Sequence, residues 1–370
     1  MKAIRFIITA LCCLVCFALT AYLLFCFLFW GENSSTQENT TNYAVSDRFN
    51  RYITNSVSDA LDGILSIEKA YWLSDNDLVA PEPNPNCYGS TTDPAVLQEV
   101  IDNASGLLDG QELIFNPDTQ TYASTEVQYY SDPTIFSITW KQQIEKSIYV
   151  ISEIKIADSS QFRRFLSDGE FASGSKYLTT QMAASVNAVV ASNGDYYAMR
   201  QIGNLVYNSQ VYRADGNYLD TCFIDGNGDL VFTRAGEMTD TDKINQFVAD
   251  NNVRFSLAFG PILVEDGKAC SIPKHYPEGE INQPNARAAL CQVGPLHYLL
   301  VIASIEPPYD AGVKLPEFAA TLEDLGIQKA YNLDGGRSAT LVMNDQRLNY
   351  VYERLVSDII YFATAIPDRE

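Results

Sequence analysis

Histidine is nearly absent from this chain: its 370 residues include two, His275 and His297, beside three Trp and five Met. Two imidazoles in unrelated contexts cannot assemble a His-rich zinc site, and a Ser-His-Asp hydrolase would have to use one of them. No Gly-x-Ser-x-Gly elbow occurs, and neither does a Walker loop or a Gly-x-Gly-x-x-Gly turn. Serine-elbow and nucleotide-cofactor chemistry therefore have no foothold. Positive charge is also scarce, with 25 Lys+Arg against 46 Asp+Glu for a formal net charge of −21. So acidic a surface repels polyanions, which argues against nucleic-acid binding. An anionic ligand would need a local cluster of Arg or Lys. Neither a cofactor nor a metal is expected, and acid–base work falls to carboxylates.

What the chain does have is apolar material, 46% of it, enough to build a sizeable core. Lys2 and Arg5 precede an unbroken apolar run from Phe6 to Trp30. That run is long enough to cross a bilayer, and its bulky end lacks a small-x-small cleavage site. Residues 1–30 read as an uncleaved signal anchor, with membrane contact through residues 4–30. Its basic flank faces the cytoplasm, which places the rest outside a single-pass cell-membrane protein. Residues 31–46 form a polar stalk. Residues 47–118 read as a small helical subdomain or lid, with helices expected over Ser56–Trp72 and Pro94–Leu108. Outside the anchor lie Cys87, Cys222, Cys270 and Cys291, whose three complete pairings and free thiols all stay open. Asn33, Asn39 and Asn103 stand in glycosylation sequons.

From about Thr121 the pattern turns to strands. Phe136–Trp140, Ile148–Ile156, Ala188–Ser192, Arg254–Phe259, Ala286–Val293, Tyr298–Ser304 and Lys329–Leu333 are rich in β-formers. Short helices are expected over Ser159–Ser167, Thr179–Val186 and Thr239–Asp250. Another opens at Pro316 and closes at Gly326. Cys222–Thr233 reads as a hairpin around Asp225-Gly226-Asn227-Gly228. A calcium loop there would need Gly where Leu230 stands and Glu where Gly236 stands. The fold class expected for residues 119–370 is α+β, a mixed β-sheet with interspersed helices.

The stretch most suggestive of chemistry runs from Ala330 to Val342. A buried strand delivers Asn332 and Asp334 to its end, and Gly335 and Gly336 let the backbone approach a ligand. Arg337 adds a fork of donors suited to phosphate, and Ser338 and Thr340 add hydroxyls. A tight turn with Asp334 as its cap explains the same residues. Asn193-Gly194-Asp195 ends another apolar strand, and Phe259-Gly260-Pro261 forms a third loop. Arg287 and Arg354 lie in apolar segments. An Arg so placed either pairs with a buried carboxylate or points into a cleft; both readings stay open for Arg287, and pairing is expected for Arg354.

In order, Asn193-Gly-Asp-Tyr-Tyr, Gly260-Pro-Ile-Leu, Ala286-Arg-Ala-Ala-Leu and Asn332-Leu-Asp-Gly-Gly-Arg-Ser-Ala-Thr340 resemble the phosphodiester glycosidase family over roughly residues 121–368. The resemblance implies hydrolysis of the sugar C1–oxygen bond of a glycosyl-1-phosphodiester. On its matching positions it implicates Asn193, Gly194, Asp195, Gly260, Pro261, Arg287, Asn332, Asp334, Gly335, Gly336, Ser338 and Thr340. Arg337, Ala339, Ala288 and Cys291 depart from the family pattern. Asp334 or Asp195 would then supply the catalytic carboxylate, and Arg287 and Arg337 would hold the phosphate. Asn193, Asn332 and Ser338 would orient the sugar. The expected partner is a glycosyl phosphodiester or phosphate-bearing polysaccharide of the cell envelope. The alternatives are a phosphodiesterase that breaks the P–O bond with a divalent ion on Asp195 and Asp334, and a non-catalytic envelope-polysaccharide-binding protein.

Overall fold

The computed structural model describes residues 72–74, 77–118, 126–278 and 280–367. The anchor, the stalk and all but Trp72 of the first expected helix of the 47–118 segment lie outside these residues. Among the described residues no helix is long and apolar enough to cross a membrane.

Strand periodicity builds four sheets among the described residues, and the two largest pack face to face. Ser147–Ile156 is buried along its whole length and sits near the middle of a nine-stranded sheet. Its Ile148, Val150 and Ile154 point to one face, while Tyr149 and Ile151 point to the other, as a two-residue repeat requires. The order across this sheet is Tyr88–Thr91, Val127–Ser131, Ile135–Ile144, Ser147–Ile156, His297–Ser304, Arg287–Gly294, Lys329–Leu333, Ile262–Glu265 and Lys268–Ala269. A five-stranded sheet runs Gln346–Arg347, Leu341–Met343, Val190–Asn193, Asp358–Phe362 and Phe162–Leu166. Between them lies the main core, in which Phe162 stacks on Phe362 at 4.5 Å and Tyr298, Leu341 and Ile360 pack alongside. Helix Leu315–Asp324 covers the far side of the larger sheet through Phe318 and Leu322. Helix Thr179–Ser185 covers the smaller one through Met182 and Ala183. The result is an α+β domain of layered helix, sheet, sheet and helix. Every pairing between its described strands is antiparallel rather than of both senses.

Three local expectations change. Ser159–Ser167 is not a helix: a 3-10 turn over Ser159–Gln161 leads into strand Phe162–Leu166. The described part of the 47–118 segment carries a strand, Tyr88–Thr91, that pairs with Val127–Ser131. Its second expected helix forms as Pro94–Asn103 and Ser105–Leu108. Asp93 caps the first of these by accepting from Ala95 N at 2.9 Å, with Pro94 at the first turn. Leu97 and Leu108 bury against the large sheet. No disulfide joins the four described cysteines, Cys87, Cys222, Cys270 and Cys291. His297 is also accounted for: its Nε2 lies 2.8 Å from buried Glu153, whose oxygens also accept from Ile114 N and Phe115 N.

Candidate active site

The Gly-Gly loop is where the chain crosses between the two sheets. Lys329–Leu333 belongs to the larger sheet and Leu341–Met343 to the smaller, so residues 334–340 bridge their ends. The other loops are stitched to this crossing. Asn193 Nδ2 donates to Asp334 O at 2.7 Å, and Asn193 Oδ1 accepts from Thr340 N at 3.1 Å. Asp334 N donates to Gly194 O, and Gly336 N donates to Ala286 O at 2.8 Å. Asn332 Nδ2 donates to Gly260 O at 2.7 Å, beside the cis Gly260–Pro261 bond. Two glycines are needed for this closeness. A Cβ on Gly335 would stand 2.7 Å from Ala286 O, and one on Gly194 would stand 2.1 Å from an Asp358 carboxylate oxygen.

These contacts frame a small cavity of about 100 Å³ whose walls include Lys176, Asp195, Tyr196, Asp334, Ser338 and Arg354. Arg354 Nη2 meets Asp334 Oδ2 at 2.5 Å, its Nε donates to Ser338 Oγ at 2.5 Å, and its guanidinium lies over the Tyr196 ring. Burial pushes the Asp334 carboxyl up from its ordinary range, and the Ser338 hydroxyl and the Arg354 cation offset part of that rise. A carboxyl in this setting can exchange a proton and still keep a cation beside it.

Asp195 is different in kind although it lines the same cavity. Its Oδ1 accepts from Tyr197 N at 2.7 Å and its Oδ2 from Ala258 N at 2.9 Å. It also ion-pairs with Arg164 at 3.1 Å. Burial alone would raise its pKa, but Arg164, then Arg200 and the two N–H donors, hold it below the ordinary value. Asp358 shares the same guanidinium at 2.7 Å. Its Oδ2 accepts from Asp195 N and from Arg164 Nε, and its Oδ1 has no hydrogen-bond partner. Burial pushes it up to about 7, with Asp195 adding to the rise and Arg164 opposing it. One buried cation therefore serves two buried carboxylates, and the better-bonded one takes the charge.

Of the residues expected at the site, the structure brings Asp334, Asp195 and Ser338 to the cavity wall. Asn193, Gly194, Gly260, Asn332, Gly335, Gly336 and Thr340 form the frame behind it. Asn193 is fully buried and spends its side chain on backbone, so it holds the loops together and does not reach a sugar. The two arginines expected to hold phosphate lie elsewhere. Arg287 donates to the carbonyls of Val313, Glu280 and Gln283. Arg337 turns into a neighbouring cleft, where its Nε donates to Tyr352 O. Arg354, expected to pair with a carboxylate, does so, and the carboxylate it finds is the central one.

Arg164, Asp358, Arg200 and Glu278 are absent from the sequence reading. Arg164 carried a signal: Phe-Arg-Arg-Phe in a strand sends adjacent arginines to opposite faces. Arg163 accordingly reaches Tyr361 OH, and Arg164 reaches the two aspartates. Arg200 lies over Phe259 and 3.6 Å from Glu278, with its Nε buried and unbonded. Nothing in the spacing of the chain announced that pair.

The phosphodiester glycosidase family model matches residues 186–363. No curated protein matches the chain. Among solved structures, it is similar to the zebrafish N-acetylglucosamine-1-phosphodiester alpha-N-acetylglucosaminidase catalytic domain, a structure auto-inhibited by its pro-peptide. The two are 19% identical with a TM-score of 0.51, over 63% of this chain and 84% of that one, which is a likeness of fold. A hypothetical protein from Synechocystis is 16% identical with a TM-score of 0.48, over 64% of each chain. The chain thus resembles the phosphodiester glycosidase family across residues 186–363, the stretch that contains all four loops and Arg354.

Proposed function

We propose that this protein is a hydrolase that cleaves the C1–oxygen bond of a glycosyl-1-phosphodiester at the Asp334 cavity. The observation that carries this reading is a buried carboxyl with a raised pKa, joined to Arg354 and Ser338 at the end of a strand. Opening an acetal runs through an oxocarbenium-like transition state, which a carboxylate stabilises and for which it can deprotonate water. Water adds to C1, the C1–O bond breaks, and its electron pair leaves on the phosphomonoester. The proton from water passes to Asp334. A phosphate leaving group is a weak base, so holding its charge matters more than protonating it, and Arg354 is the cation at hand. Asp195 contributes a fixed negative charge and a rigid loop. The reading in which Asp195 and Asp334 hold a divalent ion and the P–O bond breaks is less well supported, because both Asp195 oxygens already accept backbone N–H groups.

In this reading the anchor at residues 1–30 and the stalk at 31–46 hold the domain outside the cell membrane. Its substrate there is an envelope or exopolysaccharide phosphodiester. Hydrolysis of a glycosyl-1-phosphodiester in oxygen-18 water tests the chemistry. Label in the released sugar is the expected result, and label confined to phosphate overturns it.

A further inference from the structure

Next to the Asp334 cavity lies a second, open cleft of about 510 Å³, lined by Leu178, Arg337, Arg347, Tyr350, Tyr352 and Glu353 among others. One segment serves both sites: residues 351–353 line the cleft and residues 354–357 line the cavity. It is fastened to the Gly-Gly loop by Arg354 N on Arg337 O at 3.2 Å and Arg337 Nε on Tyr352 O at 2.9 Å. The wall of the cleft is therefore tied to the loop that carries Asp334.

The cleft has the surface chemistry of a sugar site. Tyr352 is 67% exposed, which leaves much of its ring open to a ligand in the cleft. Tyr350 meets it edge-on at 5.6 Å and donates to its hydroxyl at 2.9 Å, which fixes the ring and leaves the Tyr352 O–H to donate outward. Glu353 has a side chain only 9% exposed, and its Oε2 lies 3.5 Å from Arg347. Its Oε1 is buried and accepts no hydrogen bond from the protein. An aromatic platform whose hydroxyl can donate outward suits the C–H face and hydroxyl rim of a pyranose, and Arg337 and Arg347 suit phosphates between sugar units.

We propose that this cleft binds a run of sugar units, so that the protein acts on a polymeric, phosphate-bearing glycan and the Tyr352 platform selects it over a small glycosyl phosphodiester. This inference rests on the reading of the Asp334 cavity as the hydrolytic centre. Its test compares the intact protein with Tyr352→Ala and Arg347→Gln, both changes at exposed side chains. The probes are a short oligomer of hexoses joined by 1-phosphodiester links and the single-unit methyl diester. Each Tyr352→Ala or Arg347→Gln change should raise KM for the oligomer by roughly tenfold, with kcat and single-unit hydrolysis unchanged. Calorimetric binding of the oligomer, measured in an Asp334→Asn background, should weaken by the same factor and does not depend on turnover. Unchanged oligomer affinity in both variants overturns the inference, as does an equal loss on the single-unit diester. Failure of the wild type to hydrolyse either probe counts against the hydrolase reading alone, because binding in the Asp334→Asn background still decides the cleft.

Discussion

Arg354 reaches across twenty residues of chain to set its Nη2 2.5 Å from Asp334 Oδ2, and it bonds Ser338 with the adjacent Nε. The pair joins the end of a strand in one sheet to the segment that leads into a strand of the other. It gives the cavity both a carboxylate and the cation that tunes it.

Asp334 and Asp195 should separate when each is changed to Asn. Asp334→Asn is expected to lower kcat by roughly 100- to 10,000-fold with an unchanged melting temperature. Asp195→Asn removes one partner of a buried ion pair and should cost on the order of 3 kcal/mol of stability. Thermal melts beside initial rates distinguish the two. A fully stable, inactive Asp195→Asn would reverse the roles assigned here.

Arg354→Ala removes a cation that holds the Asp334 carboxyl down, so that pKa rises further. If Asp334 acts as the base, the acid limb of the kcat/KM profile must move to higher pH, and the maximal rate should also fall. A profile that keeps its position while the rate drops would mean that Arg354 acts on substrate alone.

Asp358 makes stability depend on pH. Its folded pKa, up near 7, lies above the ordinary carboxylate value, so the native state binds the proton more tightly than the unfolded chain does. Its contribution is fully present below about pH 4 and is lost as pH rises toward 7, at no more than about 1.4 kcal/mol per pH unit. Asp195 has the opposite sign, its contribution being lost only in acid as pH falls through its depressed pKa. Asp358→Asn should therefore flatten the decline in melting temperature between pH 5 and 7 (about the window set by the two pKa values). An unchanged slope in that variant would remove Asp358 as its source.

Arg287→Ala should act on stability, with little direct effect on phosphate recognition. Three carbonyls lose their donor, at a cost of roughly 2–3 kcal/mol. Competition by inorganic phosphate against substrate should be unchanged. A selective loss of phosphate affinity in a stable variant would return Arg287 to the role its position in the sequence suggests.

Much of the fold is legible before any coordinates. The hairpin at Cys222–Thr233, the helix Leu315–Asp324 and the long strands announce themselves through period, turn residues and caps. Phe162–Leu166 escapes because its two arginines break the apolar pattern, and only burial against Asp195, Asp358 and Tyr361 shows why a strand tolerates them.

The candidate site divides along the same line. Spacing along the chain determined that Asp334 and Asp195 sit in glycine turns just beyond apolar strands, because such a turn can expose only a few side chains. Which arginine faces them was decided in three dimensions. An arginine's long side chain can turn to either side of the backbone, and its direction depends on the nearest unsatisfied acceptor. For Arg287 those acceptors are three carbonyls, for Arg337 a carbonyl in the open cleft, and for Arg354 the Asp334 carboxylate.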